Sequence, residues 1–240
     1  MDRGRRVTIL GATGATGAAI LRRSLAAGDD VTVLVRDRTR LPPQAGSIQV
    51  VVGDVTDPET VASIVNGSDV VFSAIGRRPA LLPTRRVSVC ELASANVIRA
   101  SGDRPPQRYI VVSSTGMYHP HDRRLQPWER VITFALRFAY RADFVDRDRE
   151  AALLEASTLN WTLIRPSTLV GGRAGRYAVH HERIVGPWTT REAVADFAIR
   201  IAKDPSFERA APFISSWVPP PWARPTLEGL IVYAGSDLPS

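Results

Sequence analysis

A glycine-rich loop between two apolar runs limits what this chain can fold into more than any other feature. The stretch VTILGATGATGAAI begins at Val7, and VTVLVRD follows it from Val31. Gly11, Gly14 and Gly17 come directly after a predicted strand and directly before a helical pattern. Such glycines permit a tight turn and a close approach to a phosphate, and the free N–H groups at a helix start favour negative charge. The loop therefore predicts a dinucleotide-binding βαβ unit; a purely structural turn is the alternative.

Short β-branched runs alternate with longer helical patterns along the first two thirds of the chain, as is typical of parallel sheets covered by helices. This pattern predicts an α/β fold, a Rossmann-like doubly wound parallel sheet, in one domain over 1–240. The predicted strands are Arg6–Leu10, Val31–Val35, Ile48–Val52, Val70–Ser73, Arg108–Ser113 and Trp161–Arg165. The predicted helices are Ala15–Ala27, Pro58–Val65, Arg85–Ser101, a region from Trp128 to Ser157 that is broken near Arg141–Asp146, and Thr190–Ala202.

A small C-terminal portion is expected to lie on the substrate side of this domain, because ligands of such sheets bind beyond the carboxyl ends of the strands. Residues 116–146 and 171–190 are the predicted substrate-side segments. The run WVPPPW from Trp217 predicts an extended, Pro-rich surface tail over 217–240.

Composition excludes several other classes of protein. The net charge is +7, but the arginines are scattered in short pairs without a basic tract or a DNA-reading motif, so nucleic acid is not an expected partner. The apolar run near the N-terminus is too short for a membrane span or a signal peptide, which predicts a cytoplasmic protein without membrane contact. The single cysteine, Cys90, is expected to be a buried helical residue. We expect a monomer or a homodimer.

The end of the second strand predicts NADPH as the cofactor. An acidic residue there binds the ribose 2′-hydroxyl of NAD, whereas an arginine accommodates the 2′-phosphate of NADP. This chain has Arg36 at that place, with Arg38 and Arg40 close behind, and a guanidinium can grip phosphate oxygens in a fork. Asp37 is the competing acidic candidate, one position too late, and a solvated loop is the alternative for Arg38 and Arg40.

Two further strand ends lie along the predicted cofactor path. GDVTD places Asp54 and Val55 near an adenine ring, although Asp57 before Pro58 is also a plausible helix cap. SAIGRR offers small residues that let the ribose and phosphates pass, with Arg78 as a phosphate partner.

The segments GATGATG, VTVLVRD, VVGDVTD, YIVVSST, EAALLEASTLNWTLIRPSTL and TTREAVADFAI together resemble the NAD(P)H-binding atypical short-chain dehydrogenase/reductases. Within these, the chain is similar to the flavin reductase and biliverdin IXβ reductase branch, with the NmrA-type regulators as more distant relatives. The resemblance implies a set of cofactor-binding residues: Gly11, Thr13, Gly14, Ala15, Thr16, Gly17, Arg36, Arg40, Ala74, Ile75, Gly76, Arg78, Ser113, Pro166, Ser167 and Thr168. It also implies that Ser114 lies beside the nicotinamide.

The chain departs from the wider superfamily in its proton-donating pair. Those enzymes pair a tyrosine with a lysine four residues later, and the lysine lowers the pKa of the phenol. Lys203 is the only lysine here, and Ile199 stands four residues before it. Arg147 sits near the expected lysine, but a guanidinium stays charged and cannot act as an acid.

Candidates for catalysis follow the fifth predicted strand. Ser114 and Tyr118 are the predicted catalytic residues; turn capping and surface packing are their respective alternatives. His119 and His121 lack a third ligand with metal-binding spacing, so no metal is predicted. His180 and His181 fit a pocket or a surface strand equally well.

The aromatic residues between Trp128 and Phe144 fit a packed core better than a substrate lid, with Phe134 and Phe138 on one helical face.

These observations predict an NADPH-dependent oxidoreductase that passes hydride to a small aromatic, conjugated or carbonyl-bearing substrate, such as a flavin, quinone, tetrapyrrole or aromatic polyketide-like ketone. Such acceptors take their proton from water, so hydride transfer does not require a tyrosine. A non-catalytic NADP(H)-sensing regulator of NmrA type and a redox-neutral isomerase or cyclase are the alternatives.

Overall fold

The computed structural model describes residues 4–42, 48–76, 88–102, 104–117, 119, 134, 137–138, 141–220 and 228–236. The strands in these ranges are β1 Arg6–Leu10, β2 Asp30–Val35, β3 Gln49–Val52, β4 Val70–Ser73, β5 Arg108–Val112, β6 Trp161–Pro166, β7 Thr168–Val170, β8 Arg176–His180, β9 Trp188–Thr190, β10 Phe213–Ser215 and β11 Ile231–Ala234. The helices are α1 Ala15–Ala26, α2 Pro58–Val65, α3 Val89–Ser101, α4 Arg141–Ala156 and α5 Arg191–Ile201. None of the helices in the described ranges is long and apolar enough to cross a membrane.

Nine of these strands form one sheet in the order β11-β8-β10-β6-β5-β4-β1-β2-β3. The six strands from β6 to β3 are parallel, and β10 continues parallel to β6. β8 runs antiparallel to both of its neighbours. The order reverses between β1 and β4, which creates the crevice where dinucleotides bind in such sheets. The predicted Rossmann-like fold class is therefore confirmed.

Two apolar layers cover the sheet. The inward faces of α1 and α5 pack on one side around Ile20 and Phe197, and α2, α3 and α4 cover the other side around Val97 and Leu154. The parallel strands carry apolar side chains toward both layers, as buried parallel strands do.

A buried ionic network joins α1, α5 and the C-terminal strand. Arg23 bonds to Asp196 at 2.9 Å and to Glu192 at 3.0 Å, although its side chain is only 4% exposed. Asp196 also accepts hydrogen bonds from Tyr177 and Ser236. The network therefore joins Tyr177 on β8, and Ser236 after β11, to the helical layer.

Helix α4 begins at Arg141 and is continuous through Asp146. Residues 139–140 lie outside the described ranges, so a break directly before Arg141 stays a prediction. Asp146 caps α3 through the amides of Cys90 and Glu91. The structure corrects the prediction for the C-terminus. The C-terminal region is more than a surface tail, since Ile231–Ala234 pairs with β8.

Candidate functional site

The glycine loop has the shape that a pyrophosphate requires. Gly11 has φ +88°, and a Cβ built on it would lie 2.8 Å from the carbonyl oxygen of Ala74. A Cβ on Gly17 would lie 2.1 Å from the oxygen of Gly11, so neither position admits a side chain. Gly14 caps α1 without a side-chain hydrogen bond. The loop is therefore built for close backbone approach, and Thr13, Ala15 and Thr16 place their amides at the helix start.

The end of β2 presents arginines rather than a free carboxylate. Arg36 and Arg40 are exposed beyond Val35. Asp37 instead accepts hydrogen bonds from the hydroxyl and the amide of Thr39, at 2.7 and 2.9 Å, and these bonds lower its pKa. Asp37 thus caps the short turn Arg38–Arg40. The groups at this strand end that could meet the 2′-position of the adenosine ribose are therefore the two exposed guanidinium groups and the carboxylate of Asp37.

A hydrogen bond from α3 holds the loop after β3, and the residue that donates it was not among the predicted site residues. Asp54 accepts hydrogen bonds from the amide and the hydroxyl of Thr56, so its carboxylate orders its own loop. The carbonyl of Val55 accepts a 2.9 Å hydrogen bond from the amide of Asn96 on α3. Asn96 is 5% exposed, and a lone polar residue on the buried face of a predicted helix was the only signal for it.

Arg147 reaches the carboxyl ends of β4 and β5. Its Nη1 donates to the carbonyl of Val112 at 3.0 Å, and its Nη2 lies 3.4 Å from where a Cβ on Gly76 would be. Ala74 and Ile75 precede Gly76 along the same edge, and the amide of Ala74 bonds to the end of β1. Arg78 lies outside the described residues. The residue near the missing lysine thus places a fixed positive charge beside the predicted cofactor path.

The two serines after β5 differ in their surroundings. The hydroxyl of Ser113 points into the fold and lies 3.3 Å from the sulfur of Met117, so its side chain does not face the cofactor path. Ser114 is half-buried, its carbonyl accepts from the amide of Met117, and no described residue bonds to its hydroxyl. Thr115 bonds to the carbonyl of Pro166 at 2.8 Å and joins this loop to the end of β6. The second predicted catalytic residue, Tyr118, lies outside the described residues.

The segment after β6 continues the same edge of the sheet. Ser167 donates its hydroxyl hydrogen bond to the carbonyl of Gly186, so this side chain holds a neighbouring loop. Thr168 is exposed and starts β7, which pairs in parallel with β9. Pro166 is the last residue of β6. Of the three predicted nicotinamide-side residues, only Thr168 has a side chain open to solvent.

A buried carboxyl group lies one helical turn below Arg147. Glu150 is 1% exposed, and burial raises its pKa from about 4.5 to about 7. Its Oε1 accepts from Ser94 at 2.7 Å, and its Oε2 lies 4.0 Å from Arg147 Nη1. Ser94 in turn lies 2.8 Å from the hydroxyl of Tyr109, whose pKa burial raises. The guanidinium of Arg147 therefore lies beside a carboxyl group that is hydrogen-bonded to Ser94 and whose charge depends on pH.

The histidines lie outside this centre. His119 is buried beside Trp161, with its Nε2 2.8 Å from Glu155. His180 bonds to the carbonyl of Glu228 at 2.8 Å, which ties β8 to the segment before β11, and His181 stacks on Phe207. His121 is outside the described residues.

The interpretation of Phe134 and Phe138 as core residues was wrong. They are 74% and 81% exposed.

The arrangement can bind an anionic dinucleotide and hold an acceptor near its far end. The glycine loop lies at the switch point, and the exposed arginines lie beyond β2. Ser114 and Thr168 follow β5 and β6, and Arg147 reaches the same edge from α4. Cys90 takes no part, since it is buried in α3 and burial raises the pKa of its thiol.

Comparison with known proteins agrees with this geometry. The family described as NAD(P)H-binding matches residues 11–205, so the chain belongs to that family. The chain is similar to ChuY, an anaerobillin reductase from Escherichia coli O157:H7, with a TM-score of 0.69 and 22% identity over 90% of this chain and 100% of that one. It is also similar to a short-chain dehydrogenase/reductase (wide type) from Veillonella parvula DSM 2008 in complex with NADP, with a TM-score of 0.69 and 20% identity over 88% of this chain and 94% of that one.

Averufin oxidase stcO from Emericella nidulans is 25% identical over an alignment of 187 positions, and the match covers 69% of this chain. The chain spans 62% of the length of that relative. The family match confirms that the chain is an NAD(P)H-binding protein, and the likeness to the solved structures confirms its Rossmann-like fold.

Proposed function

We propose that the protein is an NADPH-dependent reductase that passes hydride to a planar conjugated or carbonyl-bearing small molecule. The observation that carries this proposal is the position of Arg147. Its guanidinium bonds to the carbonyl of Val112, two residues before Ser114, and lies beside Gly76 on the cofactor path. A fixed positive charge at this place stabilises negative charge that develops on an acceptor.

The residues around the switch point fit the cofactor. The backbone from Gly11 to Gly17 holds the pyrophosphate at the start of α1, where no side chain obstructs it. Arg36 and Arg40 hold the 2′-phosphate, while Asp37 uses one carboxylate oxygen to cap the turn at Thr39. Other predicted contacts lie at the ends of β3, β4 and β6, namely Asp54, Val55, Ala74, Ile75, Gly76, Pro166, Ser167 and Thr168. Ser113 would contribute its backbone, since its hydroxyl is turned to Met117. Arg78, outside the described residues, stays a predicted phosphate contact.

The chain's own residues then position the acceptor. The bound cofactor supplies a hydride. The hydroxyl of Ser114 donates a hydrogen bond to an acceptor oxygen, and Arg147 stabilises the enolate-like or flavin-like anion. Solvent or Tyr118 delivers the proton. A conjugated acceptor suits this site, because it spreads the new charge and needs no strong acid beside it.

The test is anaerobic oxidation of NADPH and of NADH with flavin mononucleotide, menadione and an aromatic ketone as acceptors. We expect NADPH oxidation with at least one planar acceptor and a slower reaction with NADH. A Ser114→Ala variant should lose turnover while it keeps its affinity for NADP⁺. Absence of NADPH oxidation across all three acceptors, in protein that binds NADP⁺, would count against the reductase.

The exposed faces of Phe134 and Phe138 favour a second candidate, a cofactor sensor of NmrA type that contacts a protein partner. The missing tyrosine–lysine pair fits a sensor equally well. A sensor binds oxidised and reduced cofactor without turnover. Conversion of a substrate without net NADPH consumption would instead indicate a redox-neutral isomerase or cyclase.

A further inference from the structure

Two partly exposed tryptophans stand at the same edge of the sheet as the candidate site. Trp188 begins β9 and is 43% exposed, and Trp217 follows β10 and is 36% exposed. β10 runs parallel to β6, so its end lies at the carboxyl edge. The pair thus extends that edge beyond β6, on the side where an acceptor would enter.

One buried hydroxyl joins the two tryptophans. Ser215 Oγ donates to the carbonyl of Trp188 at 2.9 Å and accepts from the amide of Trp217 at 3.0 Å. The amide of Ser216 donates to the same carbonyl of Trp188 at 2.9 Å. Because Ser215 is fully buried, the backbones of both tryptophans are fixed to the end of β10.

A glycine lets the ring of Trp217 lie against the neighbouring loop. A Cβ on Gly186 would lie 2.8 Å from Cβ of Trp217 and 3.0 Å from its Cε3. The carbonyl of Gly186 accepts the hydroxyl hydrogen bond of Ser167. The indole is therefore packed against a loop that the nicotinamide-side segment itself holds.

Trp188 is in register with the candidate site. Thr168 pairs directly with Trp188 in the β7–β9 ladder, and its amide bonds to the carbonyl of Pro187 at 3.2 Å. Thr189 adds a second connection, since its hydroxyl donates to Ile214 and accepts from the amide of Ser167. The backbone that carries each ring is thus held by ladder and side-chain bonds rather than by a loose loop.

We infer that Trp188 and Trp217 form the wall on which the conjugated ring of the acceptor stacks. This inference rests on the proposed function and adds its specificity-determining residues. Large exposed aromatic residues are costly on a surface and are useful where a flat ligand covers them. A fixed indole loses little conformational freedom when a ring stacks on it, so the rigid support increases affinity. The wall therefore selects for planar, extended acceptors over compact ones.

The experiment titrates the NADP⁺-loaded protein with flavin mononucleotide and with menadione, and follows tryptophan fluorescence and the dissociation constant. We expect Trp188→Leu and Trp217→Leu each to weaken binding of a planar probe roughly tenfold, as loss of one stacked ring does. Trp188→Phe and Trp217→Phe should restore most of the affinity. In NADPH turnover, the leucine variants should raise KM more than they lower kcat.

Leu92→Ala is the matched control, because Leu92 is 40% exposed on α3, outside the candidate site. This substitution should leave the dissociation constant of the probe and the KM unchanged. NADP⁺ affinity and thermal melting report whether each variant is folded.

If a leucine variant does not fold, NMR of the wild-type protein replaces it as the test. The indole N–H signals are assigned with the phenylalanine variants. Both tryptophan signals should shift when the probe binds. Unchanged probe affinity in folded leucine variants would overturn the inference, and so would a wild type that binds NADP⁺ but neither probe. A shift in sedimentation of the variants with unchanged probe affinity would overturn it in favour of a contact between two copies of the chain. Weakened probe binding together with absent NADPH oxidation would support the stacking wall and reject only the reductase.

Discussion

At the residue scale, Arg36 is the residue that we propose selects between the two dinucleotides. It stands exposed after β2, and the nearby carboxylate of Asp37 is bonded to Thr39. We expect Arg36→Ala to lower kcat/KM with NADPH by roughly ten- to a hundredfold, because a hydrogen bond to a charged group contributes about 1.5–3 kcal/mol. The value with NADH should hardly change. Steady-state kinetics with both cofactors measure this, and Arg104→Ala, an exposed arginine before β5 at the opposite edge, is the control. Equal losses with both cofactors would contradict the assignment.

Arg147 should affect turnover more than folding. Its guanidinium donates to Val112 and lies 15% exposed at the edge of the site. We expect Arg147→Met to lower kcat roughly a hundredfold, as loss of one charge-stabilising donor does. Arg147→Lys should recover part of this loss. Dissociation constants for NADP⁺, measured beside kcat, separate positioning from cofactor binding. Retention of full kcat in the methionine variant would remove Arg147 from the mechanism.

Glu150 should make stability depend on pH near neutrality. Burial raises the pKa of its carboxyl group to about 7 in the folded protein, against an ordinary value near 4.5. The folded state therefore binds the proton more tightly than the unfolded chain. Its stabilising contribution is complete below pH 4.5 and is lost as pH rises through about 7, to a total on the order of 3 kcal/mol.

We expect Glu150→Gln to flatten this fall in the free energy of unfolding between pH 5 and 7.5. Urea titrations across that range measure it. Ser94→Ala, which removes the neighbouring hydroxyl but leaves the carboxyl group, should keep a fall with pH. The prediction fails when the wild type and the glutamine variant have parallel profiles.

What the sequence could predict at this scale depended on whether a residue's role is local. Gly11 and Gly17 were predictable, because the geometry of a turn and the start of a helix depend on residues that are neighbours in sequence. Asn96 and Glu150 were not, because each serves a group that is distant in sequence and close only after α3 and α4 pack.

At the scale of elements, the network around Asp196 holds α1, α5 and β11 together. Burial opposes the ionisation of Asp196, but hydrogen bonds from Ser236, Arg200 and Tyr177 lower its pKa overall. This carboxylate therefore stabilises the fold above its ordinary pKa, and the contribution is lost as pH falls through the lower folded value.

We expect Asp196→Ala to lower the free energy of unfolding by roughly 3–5 kcal/mol, because it leaves the buried guanidinium of Arg23 without this partner. Chemical denaturation measures the loss. Asp30→Ala, at an exposed position at the start of β2, should cost less than about 0.5 kcal/mol. Equal effects of the two substitutions would show that the network does not stabilise the fold.

Helices and strands were predicted correctly where the apolar residues follow one clear pattern along the sequence. The runs that became β1, β4 and β6 are short and rich in apolar and β-branched residues, and their bounds were predicted to within a residue. The cap that Asp146 places on α3 was not predicted, since a sequence does not show which distant amides a carboxylate meets. Short strands such as β9 and β11 were missed because pairing with distant partners stabilises them.

At the scale of the whole molecule, the sheet reversal at β1 and β4 predicts that cofactor binding stabilises the entire fold. A ligand that binds only the folded state at 100 times its dissociation constant adds about 2.7 kcal/mol. For a chain of this size, that corresponds to a rise in Tm of roughly 5–11 °C. Thermal melting with NADPH measures it. At the same concentration, NADH should give a clearly smaller rise, and equal shifts would contradict the proposed preference.

The cap that Asp146 places on α3 has a consequence for the direction in which a ligand can lie. Two helices begin at this edge near the switch point, and each carries partial positive charge at its first turn. The carboxylate of Asp146 bonds to the amides of Cys90 and Glu91, so the start of α3 is already neutralised from within the protein. The start of α1 has neither a side-chain cap nor an acidic residue in its first turn. Of these two helix starts, the one at α1 is therefore the one left to attract a diphosphate, which would orient a bound dinucleotide with its pyrophosphate at the glycine loop.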